Sequence, residues 1–204
     1  PARLDALTPR WAEIAIEEGY VEARASRLKG ARITTDLVTV TGTEHLMMAA
    51  SLAEGTTVIE NAACEPEVAD LARLLQAMGA KIEGAGSARI EVQGVPDLGR
   101  ARHRIIPDRI EAGTLLVAGA ITGGDVTVTG VIPAHLSAVV ATLREAGAKL
   151  DVGPDWVRVQ GEERPRPTDI TTGVFPGFPT DMQAQIMAHL GLAVCAIGVV
   201  LTSH

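Results

Sequence analysis

Aromatic side chains are almost missing from this chain of 204 residues, which holds two Phe, two Trp and one Tyr. A core without rings has to be packed with Ala, Val, Ile and Leu, in keeping with a hydrophobic content of 47%. Basic residues are also scarce: 18 Lys and Arg face 25 Asp and Glu, for a formal charge of −7 and a pI near 5.2. Neutralising phosphates needs clustered cations, so no nucleic-acid partner is expected. Two Cys do not build a disulfide framework, and the first residues, "PARLDALTPRWAEIAIEE", lack a basic-then-apolar signal pattern. A reducing, cytoplasmic location is expected. The longest apolar run, "IMAHLGLAVCAIGVVL" at 186–201, has 16 residues and a His inside it. That is short of the ~20 residues that cross a bilayer, so no membrane span is expected and the run reads as a core element or a tail. The five His show no metal-ligand spacing, and none carries a site assignment.

What the sequence does have is 21 Gly and 11 Pro, which means many tight turns and the profile of an α/β protein. The length allows two domains of roughly 100 residues each. A gapless shift of 68 residues lays "AASLAEGTTVIENAACEPEVADLARLLQAMGAKI" (49–82) over "VAGAITGGDVTVTGVIPAHLSAVVATLREAGAKL" (117–150). Gly55 then falls on Gly123, Val58 on Val126, Leu75 on Leu143, and "GAK" on "GAK". A fixed shift of this length signals one supersecondary unit used twice.

Each copy reads as a helix of small residues, a Gly turn, a strand ("TTVIEN" or "DVTVTG") and a second helix. The second helix has Val68, Leu71 and Leu75, or Leu136, Val139 and Leu143, at helical spacing, and Gly79 and Gly147 fit its C-terminal cap. Alternating hairpins, "KIEGAGSARIEVQG" and "KLDVGPDWVRVQG", close the copies. "AEIAIEEGYVEA" (12–23) looks like the closing hairpin of an earlier copy and "TDMQAQIMAHLGLA" like the first helix of a later one. The chain is therefore expected to begin and end inside a repeat.

The motifs "RLKGARI", "VTVTGTEHLMMAASLAEGTTVIENAACEPEV", "MGAKIEGAGSARIEVQGV", "PDRIEAGTLLVAGAITGGDV" and "PGFPTDMQAQ" resemble those of the UDP-N-acetylglucosamine enolpyruvyl transferases, over roughly 13–190. The resemblance implies an inverse α/β barrel of the enolpyruvyl transferase type, two domains built from repeated helix-strand-helix-strand-strand units. Residues 1–106 would be the C-terminal part of the first domain and 107–204 the N-terminal part of the second, each incomplete. The implied reaction moves an enolpyruvyl group from phosphoenolpyruvate to the 3-hydroxyl of UDP-N-acetylglucosamine, the first committed step of peptidoglycan synthesis. It uses these two small molecules as substrates and no metal or organic cofactor. The sister family that makes 5-enolpyruvylshikimate 3-phosphate shares the fold, but its pocket motifs are not found in this sequence.

Both Phe stand in "GVFPGFPTDMQ", ahead of Asp181. Read from the residues alone, Thr180 is an N-cap and Asp181 a first-turn carboxylate favoured by the helix dipole. The resemblance gives Asp181 a second role: contact with the sugar and acceptance of the proton from its 3-hydroxyl. "DLVTVTGTEH" (36–45) reads as a strand, a turn and a capping box of Thr41 or Thr43 with Glu44 nearby. Unpaired amides at such a helix start favour anions. By resemblance Leu37, Val38, Thr39 and Val40 hold the uridine and phosphates, largely through main chain. In "PDRIEAGT" (107–114), Asp108, Arg109 and Glu111 read as an ion network near the domain crossing, with Asp108 and Arg109 as cleft or hinge candidates.

Departures limit the resemblance. The family's reactive Cys lies in a loop over the active site, whereas Cys64 stands where the family usually has Arg and Cys195 lies in an apolar run, so both are expected to be inert. His45 replaces an Asn common in the motif, and His189 is expected to be packed or surface. "PARLDALTPRW" stands where the family has the Cys loop and a uracil-holding segment, and "GLAVCAIGVVLTSH" replaces its continuation. An internal fragment of the enzyme, inactive alone, is expected. The competing expectation is a non-catalytic product that binds nucleotide sugar weakly or pairs with a complementary fragment.

Overall fold

A computed structural model describes residues 13–17, 19–162 and 164–191, and the chain divides into two compact units, Pro1–Ile105 and Ile106–His204. In the first unit an antiparallel hairpin, β1 (Glu13–Glu17) and β2 (Tyr20–Arg24), turns at Gly19. There follow β3 (Arg32–Thr34), α1 (Val40–Ser51), β4 (Thr56–Glu60), α2 (Pro66–Ala77), β5 (Lys81–Glu83) and β6 (Arg89–Gln93). The strands form one sheet in the order β3-β4-β6-β5. Thr57 and Ile59 of β4, Ile82 of β5 and Ile90 and Val92 of β6 point to one face, as strand alternation requires. That face packs on Met47 and Ala50 of α1 and on Val68, Ala72 and Leu75 of α2, forming the core of the unit.

The second unit repeats the order. It contains α3 (Arg109–Ile121), β7 (Asp125–Thr129), a 3-10 turn at Pro133–Leu136, α4 (Ser137–Glu145), β8 (Lys149–Val152) and β9 (Trp156–Gln160). Its sheet order is β7-β9-β8, matching β4-β6-β5. A second 3-10 turn (Thr180–Met182) leads into α5 (Gln183–Leu190), which packs on α3. The expected helix-strand-helix-strand-strand unit is thus present twice. Both second helices end alike: Ala80 N–H donates to Leu75 O and Ala148 N–H to Leu143 O, at 2.9 and 3.0 Å, around Gly79 and Gly147 with φ +108° and +107°. Only a residue without Cβ takes that backbone easily.

Two expectations need correction. The repeats are not gapless: Asn61 (φ 57°) matches Gly130 (φ 71°), 69 positions apart in sequence, so Val58 falls on Thr127 rather than Val126. The pair Gly123-Gly124 made the alignment ambiguous, and a one-residue slip exchanges the faces of a strand. The unit also has a leading strand: β3 runs parallel to β4 with Ile33 opposite Ile59. Three residues are too few to show alternation, and the pairing is long-range. The first helices keep part of their surface exposed. Leu52, just past α1, has 45% of its surface exposed and Ile121 at the end of α3 has 47%, while in α2 Ala72 is buried in the core and Leu71 packs against it only partly buried. The second half of the run at 186–201 lies outside the described residues; among those that are described, no helix is long and apolar enough to cross a membrane.

Each closing strand runs past the end of its first helix at backbone contact. A methyl on Gly94 would stand 1.7 Å from Ala53 O, and one on Gly161 2.5 Å from Ala120 O. Gly94→Ala and Gly161→Ala should each lower stability by about 1–3 kcal/mol, because backbone rather than a movable side chain must yield. Gly173→Ala, with nothing within 4 Å, should stay within ~0.5 kcal/mol of the parent. Urea unfolding measures all three, and parental midpoints for the first two contradict the close approach.

On the solvent face, Arg158 Nε donates to Asp125 Oδ1 at 2.7 Å, its terminal nitrogen reaches Oδ2, and Gln160 adds a bond at 3.1 Å. The Arg158 hydrogen bond, then that of Gln160, pulls Asp125 down from 3.8 to about 2. A lowered carboxylate stabilises the fold above its unfolded value, and that help is lost as pH falls from about 4 towards 2. An NMR titration should find the Asp125 midpoint near 2, and Arg158→Ala should return it towards the ordinary value. A parent midpoint near 3.8 contradicts the pairing.

Candidate functional site

In the second unit, two motifs distant in sequence meet on α3. Asp108 is the N-cap of α3, its Oδ1 accepting from the amides of Ile110 (2.7 Å) and Glu111 (3.2 Å). Among the described residues Asp108 makes no ion pair, so the network expected around it does not form there. A carboxylate just ahead of a helix meets unpaired N–H groups, and these take it. Next to it, the Arg109 guanidinium carbon lies 5.8 Å from the centre of the Phe175 ring, cation–π distance. Phe175 opens the loop that leads to Asp181.

That loop is tied to itself before it reaches Asp181. Thr172 and Phe178 form a bridge, Gly173 N–H donates to Phe178 O at 2.9 Å, and Gly177 N–H to Val174 O at 2.7 Å. Phe178 and Met182 are buried in the core of the unit on either side of Asp181. The Asp181 carboxylate is exposed and makes no hydrogen bond or ion pair among the described residues. Thr180 is not the expected N-cap: Pro179 occupies the cap position of the 3-10 turn, and no side chain caps that turn or α5. The carbonyls of Pro179 and Thr180 accept from the amides of Met182 and Gln183, filling the role a threonine hydroxyl would have had. One helical turn on, Gln185 Nε2 donates to Thr114 Oγ1 of α3 at 3.1 Å. The contacts of Phe175, Thr114 and Gln185 were not expected: all three lie in the family-like motifs, but nothing in the sequence says which pairs touch.

In the first unit, Asp36 and Leu37 form a bend, Val38 and Thr39 belong to no strand, and α1 starts at Val40. Leu37 is 71% exposed, and Val38 packs against the core. The cap is Thr39, whose Oγ1 accepts from Gly42 N–H at 3.3 Å, not Thr41 or Thr43. Thr43 is fully buried, donating to Thr39 O at 2.8 Å and accepting from Ala63 N–H at 3.0 Å, so its hydroxyl is occupied in joining α1 to the turn after β4. The bend is held from below by Thr35 and Asn61. The Thr35 hydroxyl donates to Asn61 O at 2.9 Å and the Asn61 amide to Thr35 O at 2.8 Å.

The remaining candidates behave as packing residues. Burial, then Glu65, pushes the Cys64 thiol up, away from the reactive thiolate form. Cys195 lies outside the described residues. His189 is buried near the end of α5, burial lowers its pKa, and neither ring nitrogen has a partner among the described residues. No group of three or more His, Cys, Asp or Glu suited to a metal occurs among the described residues.

UDP-N-acetylglucosamine 1-carboxyvinyltransferase of Acidobacterium capsulatum is 63% identical to this chain over 194 residues, which cover 95% of the chain and 44% of that protein. The chain thus spans less than half the length of this curated relative. Two solved structures share the fold: the enolpyruvyl transferase NikO from Streptomyces tendae (TM-score 0.78, 24% identity, 92% of this chain and 48% of that one) and EPSP synthase from Acinetobacter baumannii (TM-score 0.58, 21% identity, 93% and 43%). The family model for EPSP synthase (3-phosphoshikimate 1-carboxyvinyltransferase) matches residues 2–198, which takes in both repeat units and every candidate residue described above. On that match the chain belongs to the EPSP synthase (3-phosphoshikimate 1-carboxyvinyltransferase) family.

Proposed function

We propose that this chain is part of a UDP-N-acetylglucosamine 1-carboxyvinyltransferase, which moves the enolpyruvyl group of phosphoenolpyruvate to the 3-hydroxyl of UDP-N-acetylglucosamine. The observation that carries this reading is the 63% identity to an enzyme of that name over nearly the whole chain. In the transfer the hydroxyl oxygen bonds to C2 of phosphoenolpyruvate, phosphate leaves from that carbon, and Asp181 accepts the hydroxyl proton. An exposed carboxylate without partners among the described residues, on a turn anchored by Phe178 and Met182, suits a base that must be both available and held.

On the same reading, Leu37, Val38, Thr39 and Val40 receive the uridine diphosphate. The first amides of a helix lack intrahelical partners and favour an anion, and exposed Leu37 offers an apolar contact. Asp108 and Arg109 are second-rank candidates, and Arg109 meets the Asp181 loop at Phe175. The pathway assignment to peptidoglycan synthesis and the cytoplasm follows from the substrate.

The test grafts residues 30–185 into the complete Acidobacterium capsulatum enzyme and follows phosphate release. UDP-N-acetylglucosamine should support turnover and shikimate 3-phosphate should not. Asp181→Asn keeps size but cannot take the proton, so kcat should fall by roughly 10²- to 10⁴-fold. Because Asp181 caps nothing, stability should move by less than ~0.5 kcal/mol. An unchanged kcat, or activity with the shikimate acceptor alone, refutes the proposal.

A further inference from the structure

The Asp181 carboxylate makes no bond of its own among the described residues, so its place is set by the backbone of its turn, and that backbone rests on α3. Two consecutive α3 residues make the contact. Gly113 leaves a notch filled by Met182: a Cβ there would stand 2.5 Å from the Met182 sulfur and 2.7 Å from its terminal methyl. Met182 directly follows Asp181 and is fully buried. Thr114, the next residue, meets Gln185 at 3.1 Å. The Thr114 hydroxyl already donates to Ile110 O at 2.8 Å, so it can only accept from Gln185, and this sets which end of the amide faces it. One contact fixes how close the turn sits to α3, the other its rotation.

The second contact is not what packing alone would choose. Gln185 Oε1 is buried without a donor among the described residues, so the amide is kept although one end of it is unsatisfied. A buried acceptor without a partner weakens a fold, and an apolar side chain of similar length avoids the loss. Retaining Gln therefore favours orientation over stability.

We infer that the Gly113–Thr114 step of α3 is the positioning element for Asp181, Gly113 setting the depth of its turn through Met182 and Thr114 its rotation through Gln185. The inference rests on the proposed role of Asp181 as the base.

The test uses the same grafted enzyme. Gln185→Met and Thr114→Val should each lower kcat by roughly 10- to 100-fold, the loss expected when a reacting group moves by about an ångström. KM for UDP-N-acetylglucosamine should change by less than about twofold, and Gln185→Met should unfold at the parental temperature or above. Since both substitutions break one contact, the double variant should be no slower than either single one. Thr114→Ser keeps the acceptor and should keep kcat. Crystal structures of the two single variants should show Asp181 displaced. Parental kcat with an unmoved Asp181 in both single variants overturns the inference, as does a Thr114→Ser variant as slow as Thr114→Val. The two readings fail separately. If Asp181→Asn is without effect, the base role falls while displacement of the turn still supports the positioning. If Asp181→Asn is slow but both α3-contact variants are not, only the positioning falls.

Discussion

The three antiparallel strands that both units share have one face to bury, and in both units they bury it by bringing the end of the closing strand into backbone contact with the first helix or the residues that end it. The contact occurs at Gly94 and at Gly161, where even a methyl group would overlap the carbonyl of Ala53, just past α1, or of Ala120 in α3. Everything else in the unit is arranged around that distance. The helix must be made of small residues where the sheet approaches, as at Ala50 and Gly119, and the aliphatic side chains of the strands and second helix fill the space that remains. Such a core has little room for rings, and the near absence of aromatics follows from it. Overpacking here would be felt at once, since interiors are close-packed and do not deform continuously.

Using the unit repeatedly puts the candidate residues in equivalent places. Thr39 precedes α1, Asp108 precedes α3, and Asp181 stands in the turn that feeds α5. Each is at the N-terminal end of the helix that follows a closing hairpin or leading strand, where backbone amides are unpaired and a chain entering a helix is easily held. The three ends have diverged in how they treat those amides. Thr39 and Asp108 cap them with side chains, whereas at the third end the carbonyls of Pro179 and Thr180 do so, leaving Asp181 free of the task. A carboxylate released from capping is available for other chemistry. The cost is that its position must be supplied by neighbours, chiefly Phe178, Met182 and the α3 contacts.

What could be read from the sequence alone was the content and order of the units. Periodic Val and Leu in the second helices, alternation in the hairpins, and glycines in capping positions are local signals set by helix and strand geometry, and the structure has each element in its expected order. The motifs carry the family resemblance, and they mark Leu37 to Val40, Asp108, Arg109 and Asp181 as candidate residues.

Tertiary structure alone decided register, caps and contacts. The Gly pair before β7 left two alignments that local propensity could not separate, and the choice came from which face of the strand met the core, as Asn61 and Gly130 show. Strand β3 exists only because β4 offers it an edge, so three residues carry no signal of it by themselves. Thr41, Thr43 and Thr180 are as good cap residues by type as Thr39, but the cap goes to the residue whose backbone is extended where the helix begins, and that point is set by packing. Likewise Thr114 and Gln185 are ordinary helix residues until α3 and α5 are laid together. Their hydrogen bond depends on a helix crossing that no spacing along the chain encodes.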